Sequence, residues 1–128
     1  MTVEDTVGEP QPPTDSSAPA PPIPATHAVG AVDVLDVIDR LEAVLRSRRA
    51  ERPEGSYSAR LFADPELVQR KVMEEAFETC LELGRTPQVP ERVASEAADL
   101  VFHLVVGLVD AGVPFADVLA ELDRRVQQ

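Results

Sequence analysis

From Asp33 to the C-terminus, apolar residues recur at spacings of three and four, the period of a helix with one buried face. Asp33 is placed to cap a first helix, whose stripe is Val34, Leu35, Val37, Ile38, Leu41, Val44 and Leu45. That helix has to end before Pro53. The stretch RPEGSYSARLFA reads as a loop, because Pro, Gly and Ser cluster in it. A second helix opens at DPELVQRK, with Asp64 as N-cap, Pro65 at the first helical position and Glu66 in the first turn. Gly84 is suited to end it, and Pro87 and Pro90 bracket a short connection. A third helix is expected from Glu91 to Ala111 with Gly112 closing it, and a fourth from Pro114 to about Arg125. Strand periodicity is almost absent. The expected fold is all-α: a four-helix antiparallel bundle with short connections.

Residues 1–30 differ in kind. They hold seven of the twelve prolines and four acids, with no Lys or Arg. PTDSSAPAPPIPAT has no apolar period and too little to bury against its ordering entropy. The reading is a disordered, Pro-rich tail over 1–30 and one helical domain over 31–128.

Composition and charge narrow the function classes. The chain is 44% apolar but only 4% aromatic and has no Trp, so Leu, Val and Ala must build the core. Its net charge of −11 and lack of a basic patch argue against a nucleic-acid partner. Cys80 is the single cysteine, so no intrachain disulfide is available. No basic segment followed by an apolar run opens the chain, and the apolar stretch Leu100 to Val109 is too short to span a bilayer. A soluble cytoplasmic protein with no membrane partner is expected.

The chemistry lies in the acids of the second and third helices. On a wheel of about 100° per residue, Lys71, Glu74, Glu75 and Glu78 occupy an arc of about 100°. Val72, Met73, Ala76, Phe77, Cys80 and Leu83 take most of the opposite side. Alone, this describes an amphipathic helix with a wet polar face. The third helix is apolar around most of its circumference, yet Glu96, Asp99, His103 and Asp110 form one narrow stripe on it. No Lys or Arg follows Glu96 or Asp99 at three or four residues. If the two helices form an antiparallel hairpin, the pairs Glu75/Glu78 and Glu96/Asp99 converge. Their repulsion then calls for a cation, and an all-oxygen donor set suits Mg²⁺ or Mn²⁺. Mg²⁺ shares its shell readily with substrate phosphates, which points to nucleotide chemistry.

EEAFE, followed after 17 residues by EAAD, resembles the EExxE…ExxD signature of the MazG-like all-α nucleoside-triphosphate pyrophosphohydrolases. The blocks SYSARLF, QRKVMEEAFET and SEAADLVFHLVVGLVDAGVPFADVLAEL together resemble the phosphoribosyl-ATP pyrophosphohydrolases of histidine biosynthesis, over about residues 35–126. The resemblance implies a MazG-like bundle completed by homodimerisation, and Mg²⁺-dependent hydrolysis of phosphoribosyl-ATP to phosphoribosyl-AMP and pyrophosphate. Carried over by position, Glu75, Glu78, Glu96 and Asp99 hold the metal. Glu74 and Glu75 are the catalytic carboxylates, with Glu74 a ligand or an orienting base for water. Ser56, Tyr57, Arg60 and Lys71 match positions near the phosphate-bearing substrate. The chain departs from common family residues at Ser58, Arg60, Met73, Phe102 and Pro114, where Thr, Lys, Gly, Tyr and Ser are usual. Met73 is the sharpest departure; it narrows a pocket or fills a dimer seam.

Blander readings stand beside these. His103 is expected to be a histidine satisfied by a carboxylate or carbonyl rather than a metal ligand. Cys80 is expected in the core. Lys71 is equally suited to pairing with Glu74 or Glu75 and to touching substrate, and Tyr57 to packing and to binding. The surplus of apolar surface on the third helix predicts a homodimer through helices two and three. Two other functions fit the same residues: a MazG-like housecleaning hydrolase of other nucleotides, or a non-catalytic helical dimerisation module.

Overall fold

The structure, a computed structural model, describes residues 33–128; the expected tail and the first residues of the domain lie outside the described residues. Five helices follow in order: α1 Val34–Glu51, α2 Tyr57–Ala63, α3 Pro65–Leu83, α4 Pro90–Ala111 and α5 Phe115–Val126. No strand occurs among the described residues. The all-α expectation holds, and four of the helices fall where the periodicity places them.

The added element is α2, inside the stretch read as a loop. Ser56 is its N-cap: the side-chain oxygen accepts the backbone N–H of Ala59, and Ser58 Oγ lies 3.0 Å away. Leu61 and Phe62 then turn fully inward, and this burial holds a seven-residue helix that would not stand alone. The Pro-Gly-Ser signal was real, but it ends at Ser56.

The helix ends follow their local chemistry. Asp64 Oδ1 accepts the N–H of Leu67, capping α3, with Pro65 behind it. Gly112 adopts φ 71°, and the N–H groups of Gly112 and Val113 return to Val109 and Leu108, a Schellman closure of α4. Gly84 ends α3 at φ −84°, so the left-handed freedom expected of it is not used. The N-terminus of α5 has no side-chain cap of its own. Buried Glu42 on α1 takes that role across the fold, accepting the N–H of Phe115 at 3.0 Å while Arg46 meets its other oxygen at 2.7 Å.

The core lies at one end of the α3/α4 pair. Leu45, Leu61, Phe62, Val68, Val105, Val106 and Val109 are buried together, with Leu41, Val72, Phe102 and Phe115 packed around them. Truncating Leu45 or Leu61 to Ala would cost roughly 2–5 kcal/mol. Beyond this core, α3 and α4 run on as a hairpin. There Glu75 and Glu82 are buried and Glu78 and Glu96 partly so, among small and aliphatic residues such as Ala76 and Ala97.

The inward and outward faces of α3 are reversed relative to an ordinary surface helix. Glu75 and Glu82 are buried at 7% and 5% exposure, while Met73 and Phe77 are exposed at 73% and 64%. Leu81, Leu83 and Cys80 also lie on the surface. The core position expected for Cys80 is therefore wrong: it sits on the apolar face, and that face points out.

A candidate metal centre between two helices

Antiparallel α3 and α4 set Glu75, Glu78 and Glu96 against one another. A carboxylate oxygen from each lies within 4.8 Å of one from each of the others. Spacing of three along α3 puts Glu75 and Glu78 on adjacent turns of one face, and α4 brings Glu96 from opposite. At an effective dielectric of about 20, two like charges that far apart repel by roughly 3 kcal/mol. The protons respond accordingly. Burial pushes the Glu75 carboxyl above its ordinary range, helped by hydrogen bonding to and charge on Glu78 and by Asp99, against a lowering pull from His103. Burial also raises Glu96, followed by the influence of Glu78, Asp99 and Glu82.

Asp99 stands at the rim. Its charge acts on both Glu75 and Glu96, but it is exposed and not one of the three converging carboxylates. Glu74 is exposed and points to Lys71, whose Nζ is 3.3 Å from its Oε2. That contact is the leading reason the Lys71 ammonium holds its proton more tightly than usual, with further support from the charges of Tyr57 and Glu75. Lys71 therefore pairs as the bland reading has it, and does so beside the acidic group. Asp110 leaves the α4 stripe for α1, where it meets Arg49 at 3.0 Å.

His103 is buried and satisfied on both nitrogens. Nδ1 lies 2.7 Å from the Asp99 carbonyl and Nε2 lies 2.7 Å from the Tyr57 hydroxyl. A carbonyl only accepts, so Nδ1 carries the proton, and in the neutral ring Nε2 accepts from Tyr57. The Tyr57 ring also stacks at 6.4 Å on Phe102, whose edge meets His103. Thus α2 is tied to the turn of α4 that presents Asp99. Sequence spacing carries no sign of this link, since 46 residues separate the pair.

The remaining residues singled out from sequence gather less tightly. Ser56 spends its oxygen on capping α2. Arg60 is exposed in the last turn of α2. Ser56, Tyr57, Ser58, Arg48 and Phe102 line one side of an open groove of about 390 Å³, with Leu41, Val44 and Leu45 as its apolar wall. Met73 is not in that groove. It borders an outward apolar trough of about 430 Å³ with Val68, Val72, Leu104 and Leu108. Two contributors to the polar seam, Glu82 and Arg92, were missed. Both lie at i±4 from members of the acidic set and share their faces.

This geometry is matched by kinship. Residues 38–126 fit the family described as phosphoribosyl-ATP pyrophosphohydrolase. The chain belongs to this family. It is 52% identical over 85 residues to a phosphoribosyl-ATP pyrophosphatase of Rhizorhabdus wittichii, covering 65% of this chain and 77% of that one. It is 48% identical over 82 residues to the histidine biosynthesis trifunctional protein of Neurospora crassa, covering 64% of this chain but only 9% of that much longer protein. A histidine biosynthesis bifunctional protein of Thermotoga maritima is 39% identical over 83 residues, 41% of its own length. The converging acids and the Tyr57–His103 link all fall inside the family match.

Proposed function

We propose that this protein hydrolyses phosphoribosyl-ATP to phosphoribosyl-AMP and pyrophosphate in histidine biosynthesis. The observation that carries the reading is the meeting of Glu75, Glu78 and Glu96 from two helices, inside a chain of this family. Three carboxylates facing one another, two of them (Glu75 and Glu96) with raised proton affinity and none in an ion pair with Lys or Arg, fit a hard divalent ion. Glu75, Glu78 and Glu96 would hold Mg²⁺ or Mn²⁺, with Asp99 at the rim as a fourth ligand. When bound, such an ion neutralises phosphate charge and makes water a better nucleophile near neutral pH.

The chain's own groups supply the rest. Glu74 lies beside the cluster but outside the converging three, which suits it to orient water and take its proton. Lys71 pairs with Glu74 and lies within electrostatic reach of Tyr57, where its ammonium can meet a phosphate oxygen. Tyr57, aligned by His103, has oxygen lone pairs left to accept from substrate. The groove behind Tyr57 and Phe102, with Ser56, Ser58 and Arg48, suits a nucleoside or ribose phosphate, and Arg60 on α2 adds a cation on the substrate side. Water adds to phosphorus, the anhydride P–O bond breaks, and the electron pair leaves with pyrophosphate. No side-chain nucleophile is required.

A cytoplasmic homodimer completes the reading. Met73, Phe77, Leu81, Leu83 and Leu104 present an outward apolar surface along α3 and α4, which a second copy would cover. The test is direct. Purified protein is incubated with phosphoribosyl-ATP, with and without Mg²⁺, and pyrophosphate release is measured, with ordinary nucleoside triphosphates in parallel. Release from phosphoribosyl-ATP alone, abolished by chelation, is the expected result. Equal turnover of the ordinary triphosphates would favour a housecleaning hydrolase, and no metal binding at all would favour a dimerisation module.

A further inference from the structure

At the far end of the polar seam, one turn beyond Glu78 on the same face of α3, Glu82 is 5% exposed. Two arginines close on it. Arg92 Nη2 donates to Oε1 at 2.9 Å, and Arg85 Nε lies 2.8 Å from Oε2. The Arg85 contact is an ion pair without hydrogen-bond alignment, so the shielded Oε2 accepts no aligned bond. Both arginine side chains are about half exposed, at 51% and 55%. Each uses one nitrogen on Glu82. Among the described residues no other hydrogen bond or ion pair engages them.

A simple latch between helix ends needs one arginine per carboxylate, with its donors turned inward. Here two are gathered on a single carboxylate, each spending one nitrogen on it. The turn they flank is held separately, by Gln88 Nε2 donating to the Leu83 carbonyl at 2.6 Å. Arg92 lies one turn from Glu96, and the charge of Glu82 is felt at Glu96. The seam therefore runs from Lys71, through Glu75, Glu78 and Glu96, to Arg85 and Arg92, with cations at both ends of the acids. In a chain of net charge −11, such a pair is the kind of local help an elongated polyanion needs.

We propose that Arg85 and Arg92, held together on buried Glu82, form the subsite for the pyrophosphate portion of the substrate and retain that product after cleavage. The two planar forks offer several N–H donors to adjacent phosphate oxygens. The substrate is thereby oriented: its pyrophosphate end lies at the α3–α4 connection, and its nucleoside end lies toward Tyr57 and the groove beside Phe102. The proposal rests on reading the acids as the metal site of a phosphoanhydride hydrolase.

Product inhibition separates this role from a structural one. Inorganic pyrophosphate and phosphoribosyl-AMP are titrated separately against the Mg²⁺-supported reaction. Arg85→Gln and Arg92→Gln should each raise the inhibition constant for pyrophosphate about tenfold while leaving that for phosphoribosyl-AMP within about twofold. A double Arg85→Lys, Arg92→Lys variant keeps Glu82 neutralised, so it guards against loss of the fold. It should still weaken pyrophosphate severalfold, because the planar forks are gone. Folded variants that are inhibited by pyrophosphate as the parent is, or that lose both products equally, overturn the subsite while hydrolysis stands. A parent that releases no pyrophosphate from phosphoribosyl-ATP sinks the proposed function and this subsite together.

Discussion

The two faces of α3 break the usual rule in opposite directions. The inward face buries Glu75 and Glu82 and brings Glu78 to Glu96; the outward face exposes Met73, Phe77, Leu81 and Leu83. Buried unpaired carboxylates are unfavourable, and so is a contiguous apolar surface in water. The faces also differ in what would relieve them. Glu82 already has its arginines, whereas Glu75, Glu78 and Glu96 form no ion pair with Lys or Arg, and only the weaker influence of His103 opposes the raised proton affinity of Glu75. On the proposed reading a cation relieves the inward face and a second apolar surface covers the outward one. Each proposal can be tested alone.

The largest expected effect is on the inward face. Glu75→Gln or Glu96→Gln should lower the rate of pyrophosphate release on the order of 10²–10³-fold, because a charged ligand is lost where phosphate charge must be balanced. The same variants should melt at a higher temperature than the parent when metal is absent, since one repelling charge is gone. Divalent ion should raise the melting point of the parent and do little for the variants. A shared loss of activity and of metal-free stability would mean that these acids hold the fold rather than an ion.

Next comes the outward face. Phe77→Asp places a charge in the middle of the exposed apolar stripe. At the centre of an interface such a change costs about 2 kcal/mol or more, roughly a 30-fold weaker association. Sedimentation should show a dimer for the parent and a monomer for the variant at micromolar concentration, with helicity by circular dichroism unchanged. A parent that is monomeric would leave the exposed stripe of α3 without its proposed partner.

A smaller effect is expected where α2 meets α4. Tyr57→Phe removes the donor to His103 Nε2 and should cost about 1 kcal/mol of stability. Activity should fall further than stability accounts for if, as proposed, the same hydroxyl also accepts from substrate. His103→Asn, which can still donate to a carbonyl, should keep more of the fold than His103→Leu.

These regions were unequally legible in the sequence. The acids could be read because i, i+3 spacing fixes a shared face on any helix, and because no basic residue follows Glu96 or Asp99. That α3 turns its acids inward could be read only on the condition that the two helices meet acid face to acid face. A helix wheel gives relative directions only, and the burial of Glu75 is decided by α4 docking against that side. The same ambiguity sent Cys80 to the core in expectation and to the surface in fact. Helix α2 was hidden because its stability comes from Leu61 and Phe62 meeting distant Leu45 and Val105, while its flanks carry loop signals. The Tyr57–His103 bond is a tertiary fact with no local signature. Glu82 and Arg92, by contrast, were within reach: extending each stripe by one more turn includes them.

The smallest expected effect gives the comparison its control. Glu121 on α5 is an acid whose partners are already present. Arg124 reaches it through Nε and Nη2 at 2.9 and 2.6 Å, and Arg125 Nε at 2.9 Å. Hydrogen bonds from Arg124, then Arg125, hold its carboxyl below the ordinary 4.5. A depressed folded-state value means that its stabilising contribution is complete above the unfolded pKa and disappears as pH falls through the folded one. Because the pair is open to solvent, salt should screen it. An NMR titration should find the Glu121 carboxyl ionising below 4.5 at low salt and drifting upward with added NaCl, while Glu121→Gln leaves the neutral-pH melting point nearly unchanged. If Glu121→Gln instead moved that melting point as far as Glu75→Gln does, burial and missing partners would not be what sets the α3 acids apart.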